Sequence, residues 1–344
     1  MQRCAFKDLS MKRTALTALG WLVSVALIAI LATKLDFALL WKELAKAGWG
    51  WLFLAASVNI GVIALKALRW KWMMAPAAKS PYGGIFRATM IGLAGNNLLP
   101  ARGGDWYKIY LLGKWAGVTK AALASITGLD KLFDGLAILI LFGLLSFHSR
   151  FPEWVRQGTT IVSIVIAVSL LICVALLVHH RRIPEDAAGE LGRISRLAKN
   201  LGSGMAMLAS RNLVISTILI SIMICLAQVG TIWCCQIAFG QRLDIWVPAL
   251  VYVAINLAII VPSAPSGVGP FEVAAVLAYT WLGVGKEIAF NIALFYHAVQ
   301  FLPVTAIGLV FYLKALGQGE KKMTEEMKDG DGGTGSTGVE AVKR

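Results

Sequence analysis

The fold of this chain is decided by the stretch Leu99-Pro-Ala-Arg-Gly-Gly-Asp105, which interrupts an apolar region with a proline, two glycines and charged side chains. A second stretch, Ala264-Pro-Ser-Gly-Val-Gly-Pro-Phe-Glu272, interrupts another apolar region in a similar way. Each break ends on a carboxylate, which is followed by a short apolar run and a Gly-Val-x-Lys turn, at Gly117 and at Gly283. Corresponding helix breaks inside hydrophobic sequence are the best sequence pointer to a transport site.

Composition places the chain among polytopic membrane proteins. Hydrophobic residues make up 58% of its 344 residues and the mean hydropathy is +0.70, well above the range of soluble domains. A membrane-spanning helix needs about 20 apolar residues, and six segments are predicted to span: Ala15–Thr33, Trp49–Leu65, Ser125–Phe147, Thr159–Val178, Leu213–Phe239 and Glu287–Leu313. The remaining polar stretches are Arg181–Arg211 and the tail after Leu316, so we expect no separate soluble catalytic domain.

The net charge of +14 follows the loops rather than one soluble face, so nucleic acid is not an expected partner. Basic residues concentrate in alternate loops, as the positive-inside rule requires. We therefore expect a multi-pass protein of a prokaryotic cytoplasmic membrane, with both termini and the Arg181–Arg211 loop in the cytoplasm. Residues 1–14 form the cytoplasmic N-terminus, residues 15–316 the transmembrane domain, and residues 317–344 a polar tail that is predicted to be disordered.

The two interrupted regions are predicted to be re-entrant helical hairpins, since neither half of either region is long enough to span. Irregular backbone at membrane depth is tolerated only where it is buried in protein or lines a wet cavity. The loop charges give the hairpins opposite orientations, which makes residues 83–147 and 246–313 an inverted repeat. The predicted fold is an all-α polytopic membrane protein with about six full spans and two re-entrant hairpins. Chance similarity between two loops rich in glycine and proline is the alternative.

The first two polar clusters each allow two interpretations. Arg102, Asp105 and Lys108 suit an anionic lipid headgroup at a helix start, or else form an ordinary helix cap with a surface ion pair. Asp130, Lys131 and Asp134 share a helix, and Lys131 is spaced to pair with Asp134. This second cluster is read either as a metal or proton site, or as a charge network that ties the helix to the first hairpin.

The third polar cluster lies in the second region and contains Glu272, Tyr296, His297 and Gln300. In the repeat, Glu272 corresponds to Asp105, Tyr296 to Asp130 and Gln300 to Asp134, and His297 lies opposite Lys131. His297 is either a buried hydrogen-bonding residue or part of a functional pair. No serine-nucleophile elbow, P-loop, zinc-protease motif or dinucleotide fingerprint is found, so an enzyme is not expected, nor a cofactor or a metal.

At these motifs the sequence resembles the transmembrane, flippase-like domain of lysylphosphatidylglycerol synthases and its stand-alone relatives, hopanoid-associated membrane proteins among them. The resemblance covers about residues 10–316. Three motifs carry it: Asn96 through Pro100, Arg102, Gly104, Asp105 and Lys108; Asp130-Lys131-Leu-Phe-Asp134; and Pro265-Ser-Gly-Val-Gly-Pro-Phe-Glu272. The departures are lysines at 108 and 131 where arginine is usual, and His297 where a Tyr-Arg pair is common.

Motifs and resemblance together give three sets of candidate residues. The headgroup-binding set is Asn96, Asn97, Arg102, Gly104, Asp105, Lys108 and Lys131. The coupling or charge-network set is Asp130, Asp134, Glu272, Tyr296, His297 and Gln300. The hairpin turns are expected at Pro100, Gly103, Pro265, Gly267 and Gly269.

The resemblance implies a protein that binds and translocates a membrane lipid or a polyprenyl-linked lipid. The alternative is a non-transporting membrane subunit that docks a lipid-modifying or glycosyl-transferring enzyme through its Arg181–Arg211 loop. A second copy of the chain is a further candidate partner. An intramembrane transferase with Asp105 or Asp134 as base is a third hypothesis.

Overall fold

The structure is a computed structural model that describes residues 21–99, 102–147, 153–182, 201–260 and 263–317. The described residues form helices and turns, with no β-strand among them. The helices are α1 (Trp21–Ala32), α2 (Phe37–Ala45), α3 (Trp49–Met74), α4 (Tyr82–Leu98), α5 (Gly103–Ala116), α6 (Lys120–Ser146), α7 (Glu153–Arg182), α8 (Arg211–Ala238), α9 (Trp246–Ala258), α10 (Pro270–Trp281) and α11 (Lys286–Gly317).

The chain is a multi-pass membrane protein with four or five candidate spans in the described residues. The helices α3, α7, α8 and α11 are long and apolar enough to cross a membrane, and α1 with α2, bent by 87°, makes a fifth candidate. The predicted span Ser125–Phe147 coincides with α6, which has 27 residues but carries Asp130, Lys131 and Asp134. These charges keep α6 from being counted among the candidate spans, although the rest of the helix is apolar.

One span boundary was predicted wrongly. The second span was expected to end at Leu65, with Lys66, Arg69 and Lys71 in the loop beyond it, but α3 continues to Met74. Trp70, Met73 and Met74 are buried on the continued helix, and together they repeat at helical spacing. The basic residues of this segment therefore lie on a packed helix.

Two packed pairs of short helices contain the sequence breaks. The helices α4 and α5 pack on each other across Leu99–Arg102, and α9 and α10 pack on each other across 259–269. Each pair is followed by a glycine with a positive φ, Gly117 at 69° and Gly283 at 83°. This conformation strains other residues, so the Gly-Val-x-Lys turns reverse the chain at both places and start α6 and α11.

Glycines permit the close approach of α4 and α5. A Cβ on Gly104 would overlap the Gly92 carbonyl oxygen and the Asn96 nitrogen, and one on Gly95 would lie 2.8 Å from the Gly104 Cα. The two backbones are thus in direct contact just beyond the turn. This contact sets the position of the first residues of α5 against α4.

The buried apolar residues form two main clusters, one around each helix pair. The cluster around α4, α5 and α6 includes Trp70, Leu112, Trp115, Leu123 and Ile126. The cluster around α9, α10 and α11 includes Cys235, Ile255, Phe271, Tyr279 and Tyr296. The helices α3 and α8 pack along each other between them, so polar groups at that boundary are shared by both clusters.

Several expectations fall on residues that the structure does not describe. The turn residue Pro100, the N-terminal segment 1–14, residues 183–200 of the basic loop and residues 318–344 of the tail lie outside the described residues.

Candidate functional site

Asp105 lies at the third residue of α5, where Asn96 of α4 holds it from two directions. The Asn96 side-chain Nδ2 donates to Asp105 Oδ1 at 2.9 Å, and the Asp105 backbone N–H donates to Asn96 Oδ1 at 3.0 Å. A free backbone N–H at a helix start is normally left for a side-chain cap or a ligand. Here the amide of Asn96 supplies that cap, so Asn96 positions the carboxylate and caps the helix.

Lys131 links the first helix pair to α6. Its Nζ lies 3.7 Å from Asp105 Oδ2, and its side chain is 44% exposed while that of Asp105 is 14% exposed. Lys131 was expected to pair with Asp134 on its own helix; its partner is instead the carboxylate of α5. The pair leaves the ammonium group open on one side.

Lys108 is buried under α3, with 5% of its surface exposed. Its Nζ lies 3.7 Å from the centre of the Trp70 ring, a distance at which a cation is attracted by the ring face. The expected ion pair with Asp105 three residues earlier is not among those of the described residues, where Asp105 pairs with Lys131. Gly104 is likewise buried in the α4–α5 contact, which makes its role one of packing.

Arg69 of α3 forms the most buried ionic contact of the described residues. Its Nη2 lies 2.7 Å from the Oδ1 atoms of both Asp130 and Asp134, and its Nη1 donates to Ser221 Oγ of α8 at 2.8 Å. The arginine side chain is 0% exposed. The second cluster is therefore in ionic contact with two neighbours: Lys131 contacts Asp105 of the first helix pair, while Asp130 and Asp134 bind Arg69 of α3, which the sequence did not indicate.

Sequence reasoning missed Arg69 because it ended the second span at Leu65, four residues before Arg69, whereas α3 continues to Met74. The available signal was an arginine between the apolar residues Leu68 and Trp70. A charge in that position inside a membrane helix is expensive unless it is paired.

The second helix pair has its carboxylate at the same position, the third residue of the helix that follows the break. Glu272 is the third residue of α10, as Asp105 is of α5, and its Oε2 accepts from the Gly269 backbone N–H at 2.8 Å. Its Oε1 lies 2.5 Å from His297 Nδ1 of α11. Glu272 and His297 therefore stand at the positions that the repeat assigns to Asp105 and Lys131, with a contact of the same kind.

Neutral hydrogen bonds replace the remaining ion pairs in this half. The Tyr296 hydroxyl donates to Gln228 Oε1 of α8 at 3.0 Å, and Gln300 lies within hydrogen-bonding reach of the same hydroxyl. The predicted repeat aligns Tyr296 with Asp130, and Tyr296 binds Gln228 of α8 where Asp130 binds Arg69 of α3.

Asn97 and Ser266 connect the two breaks. Asn97 Nδ2 donates to Thr305 Oγ1 at 2.9 Å, and Ser266 Oγ lies 3.4 Å from Asn97 Oδ1 and 3.0 Å from His297 Nε2. The turn Pro265–Gly267 packs on α4. The structure thus brings the ends of both breaks together, with Asn97 at the contact.

Both turns contain a residue in an unusual backbone conformation. Arg102 (φ 53°) and Ser266 (φ 64°) are the non-glycine residues with positive φ in the described part of the chain. Each such residue costs about 1–3 kcal/mol, and such strain clusters at functional sites. The turn glycines Gly267 (80°) and Gly269 (97°) adopt positive φ as well, without that cost.

Charge is distributed unequally between the two halves. Around the first break, Arg69, Arg102, Lys108 and Lys131 outnumber the carboxylates Asp105, Asp130 and Asp134, and Lys66 lies within electrostatic range of Asp130. Arg102 is exposed at the mouth of this cluster. The arrangement can hold an anion at its open side, beside Arg102 and Lys131.

Metal ligation finds no support in the described residues, where no group of three or more His, Cys, Asp or Glu side chains could hold an ion. Asp130 and Asp134 are instead both engaged by Arg69.

Fold and site together define a multi-pass helical membrane protein with a charged cluster at a broken helix pair. The chain belongs to the family described as the lysylphosphatidylglycerol synthase TM region, whose model matches residues 17–308. The family that the sequence motifs indicated is therefore confirmed.

Two curated relatives match over most of their length. A UPF0104 membrane protein of Methanothermobacter thermautotrophicus is 24% identical over 291 residues, which cover 77% of this chain and 86% of the relative. A second UPF0104 membrane protein of that organism is 23% identical over 328 residues, which cover 88% and 93%. No solved structure matches the chain.

Proposed function

We propose that this protein binds a lipid with an anionic headgroup, such as a phospholipid or a polyprenyl phosphate, and moves it between the leaflets of the cytoplasmic membrane. The observation that carries the proposal is the excess of cations at the first break. Arg102 and Lys131 are exposed there, whereas the cations behind them are buried. Charges inside a membrane protein are costly and mark ligand or ion pathways.

We propose that the two broken helix pairs are re-entrant hairpins of an inverted repeat, an architecture that suits this function. The packing is consistent with it: α3 packs on α4 as α8 packs on α9, and α6 packs on α8 as α11 packs on α3. At about 1.5 Å per residue, the 17 residues of α4 and the 13 of α9 reach about 26 and 20 Å. Both lengths are less than the roughly 30 Å of a bilayer core.

The apolar surface around the first break suits the tails of the bound lipid. Leu98 and Leu99, at the end of α4, are 52% and 49% exposed, and they lie beside the turn that carries Arg102. A lipid with its phosphate at Arg102 and Lys131 keeps its acyl chains against these leucines. In this arrangement Asn96 holds Asp105, so that Lys131 has a fixed position.

The proposed orientation of the protein has both termini and the basic loop in the cytoplasm. It depends on the N-terminal basic residues Arg3, Lys7, Lys12 and Arg13 and on the positive-inside rule. Fusion of a reporter to either terminus tests it.

A reconstitution experiment tests the proposed function. The purified full chain is placed in vesicles that carry fluorescent phosphatidylglycerol, polyprenyl phosphate or phosphatidylcholine, and movement between leaflets is measured. The parent protein is expected to accelerate at least one anionic lipid over protein-free vesicles. Movement equal to that in empty vesicles for every anionic lipid would overturn the proposal.

Matched variants separate the site from a general loss of charge. Arg102→Ala removes a group that can make charge-assisted bonds of about 1.5–3 kcal/mol to phosphate, so anionic-lipid movement should fall about tenfold or more. Lys71→Ala removes one exposed positive charge of α3 away from the site and should leave the rate unchanged. The alternative of an enzyme-docking subunit depends on the basic loop, most of which lies outside the described residues.

A further inference from the structure

A hydroxyl, an imidazole and a carboxylate form a chain at the second break. Ser266 Oγ lies 3.0 Å from His297 Nε2, and His297 Nδ1 lies 2.5 Å from Glu272 Oε1. Nucleophile, base and orienting acid within hydrogen-bonding distance are the geometric signature of an activated serine, whatever the fold that carries it. Pattern searches miss the arrangement because the three residues do not form a local motif.

The carboxylate fixes the tautomer of the histidine. An ionised carboxylate only accepts hydrogen bonds, so the ring proton of neutral His297 lies on Nδ1 and is donated to Glu272. His297 Nε2 then has a free lone pair 3.0 Å from Ser266 Oγ, and it competes with Asn97 Oδ1 at 3.4 Å for the single hydroxyl proton. This is the state in which an imidazole can take a proton from a serine.

Neighbouring groups hold each member in position. The Phe271 ring stacks on the imidazole of His297, with 4.4 Å between the ring centres, and the Gly269 N–H donates to the second oxygen of Glu272. The imidazole and the carboxylate are 9% and 5% exposed. Ser266, by contrast, is only half-buried and has a φ of 64° in a turn that is followed by Gly267 and Gly269. A strained, accessible serine is backed by a fixed base.

The surroundings indicate which substrate reaches this serine. Ile260 and Val268, on either side of the turn, are 64% and 37% exposed, and Leu98 follows Asn97, which contacts Ser266. In a membrane these apolar side chains face lipid tails. An ester of a long-chain fatty acid, whose tail suits these apolar side chains, is therefore the class of electrophile that the surroundings favour.

We propose that Ser266 is a nucleophile that accepts an acyl group from a membrane lipid ester, with His297 as general base and Glu272 as the residue that orients it. Ser266 Oγ bonds to the ester carbonyl carbon while its proton passes to His297 Nε2. The bond from that carbon to the alcohol oxygen then breaks, and the alcohol leaves with the proton from His297. Water attacks the acyl-serine by the same proton route and releases the fatty acid. This activity is independent of the proposed lipid translocation.

A serine-directed probe tests the proposal on the purified full chain in vesicles. An alkyl fluorophosphonate is added, and the modified peptide is identified by mass spectrometry; the expected reaction joins Ser266 Oγ to phosphorus and expels fluoride. The same vesicles are then supplied with a p-nitrophenyl ester of a long-chain fatty acid, from which catalytic release of p-nitrophenol is expected. Both signals should be absent in Ser266→Ala and retained in Ser263→Ala, which removes a hydroxyl from the same segment.

The role of His297 as general base is tested by the rate at which Ser266 is labelled rather than by whether an adduct forms. A positioned general base contributes about 100- to 10,000-fold, so His297→Gln should slow phosphonylation of Ser266 by about 100-fold or more, with folding checked by thermal unfolding. Absence of an adduct at Ser266 while a serine hydrolase in matched vesicles is labelled would overturn the proposal. So would an adduct that forms equally fast in a folded His297→Gln protein. Translocation by the parent protein is measured separately, so failure of one proposal does not decide the other.

Discussion

The two broken helix pairs have similar backbones and different chemistry. Asp105 and Glu272 both stand at the third residue of the helix after the break, and both contact a basic side chain of the following long helix. In the first half, however, Arg69 binds two aspartates, whereas in the second half Gln228 binds a tyrosine. Similar backbone arrangements are thus accompanied by ionic contacts in one half and by neutral hydrogen bonds in the other.

The residue before each carboxylate extends the contrast. Gly104 lets α5 touch the backbone of α4, while Phe271, which precedes Glu272 as Gly104 precedes Asp105, stacks on His297 of α11. The first half is therefore held by direct backbone contact, and its exposed cations are the proposed headgroup site. The second half uses an aromatic side chain to hold the imidazole that contacts Ser266.

The largest expected effect comes from breaking the ionic half. Arg69→Met leaves the buried carboxylate of Asp130 and the partly exposed carboxylate of Asp134 without their arginine, and removing one partner of a buried ionic contact costs about 3–5 kcal/mol. Gln228→Met removes one 3.0 Å hydrogen bond and should cost about 1 kcal/mol. Thermal unfolding of the purified proteins in detergent measures both. Equal losses would contradict the contrast between the halves, and adding Asp130→Asn and Asp134→Asn to Arg69→Met should restore part of the stability.

The second-largest loss of stability is expected from a substitution that pushes α4 and α5 apart. In Gly104→Ala the new methyl group meets Gly92, Gly95 and Asn96 of α4, and overpacking of this kind costs about 1–3 kcal/mol or more. Gly128→Ala on α6 is the control, because nothing lies within 4 Å of its Cβ position. The control should be neutral or more stable, since alanine favours helix by about 1 kcal/mol over glycine. A stable Gly104→Ala protein would show that the two helices can separate without loss.

A smaller effect tests the contact between the two halves. Asn97 of α4 donates to Thr305 Oγ1 of α11 at 2.9 Å, and a single hydrogen bond contributes about 1 kcal/mol. A double-mutant cycle of Asn97→Ala and Thr305→Val should give a coupling of that size. Additive losses would mean that the bond does not join the halves energetically.

The smallest stability effect is expected at Lys131, although its effect on lipid should be large. Its contact with Asp105 is 3.7 Å long and the ammonium is 44% exposed, so Lys131→Met should change stability by less than about 1 kcal/mol. Movement of an anionic lipid should nevertheless fall about tenfold or more, since one charge-assisted contact to the headgroup is lost. Unchanged movement would remove Lys131 from the proposed headgroup site.

Local features of this protein were open to prediction from sequence. The helix breaks, the turns at Gly117 and Gly283, and the family were all found, because glycine, proline and apolar spacing act within a few residues. The span count was only partly right, since α6 carries Asp130, Lys131 and Asp134 close together. The equivalence of Asp105 and Glu272 could also be proposed, because both follow a break at a fixed distance.

Contacts between residues that are far apart in the chain could not be predicted from the sequence. Lys131 had Asp134 three residues away, yet it binds Asp105 because Asp134 is taken by Arg69 of α3. Arg69 itself lies 61 residues from Asp130, and the helix that carries it ran beyond its predicted end. Competition between several carboxylates and cations is settled by helix packing, which spacing along the chain does not record.

The sequence by itself determined that this chain is a helical membrane protein with two corresponding breaks, because hydrophobicity and backbone freedom are properties of short segments. Only the tertiary structure decided that Arg69 is the centre of the ionic half and that Ser266 meets His297. Those contacts join residues 61 and 31 positions apart. They exist because burial forces polar groups to find partners on other helices, and packing sets which partners are near.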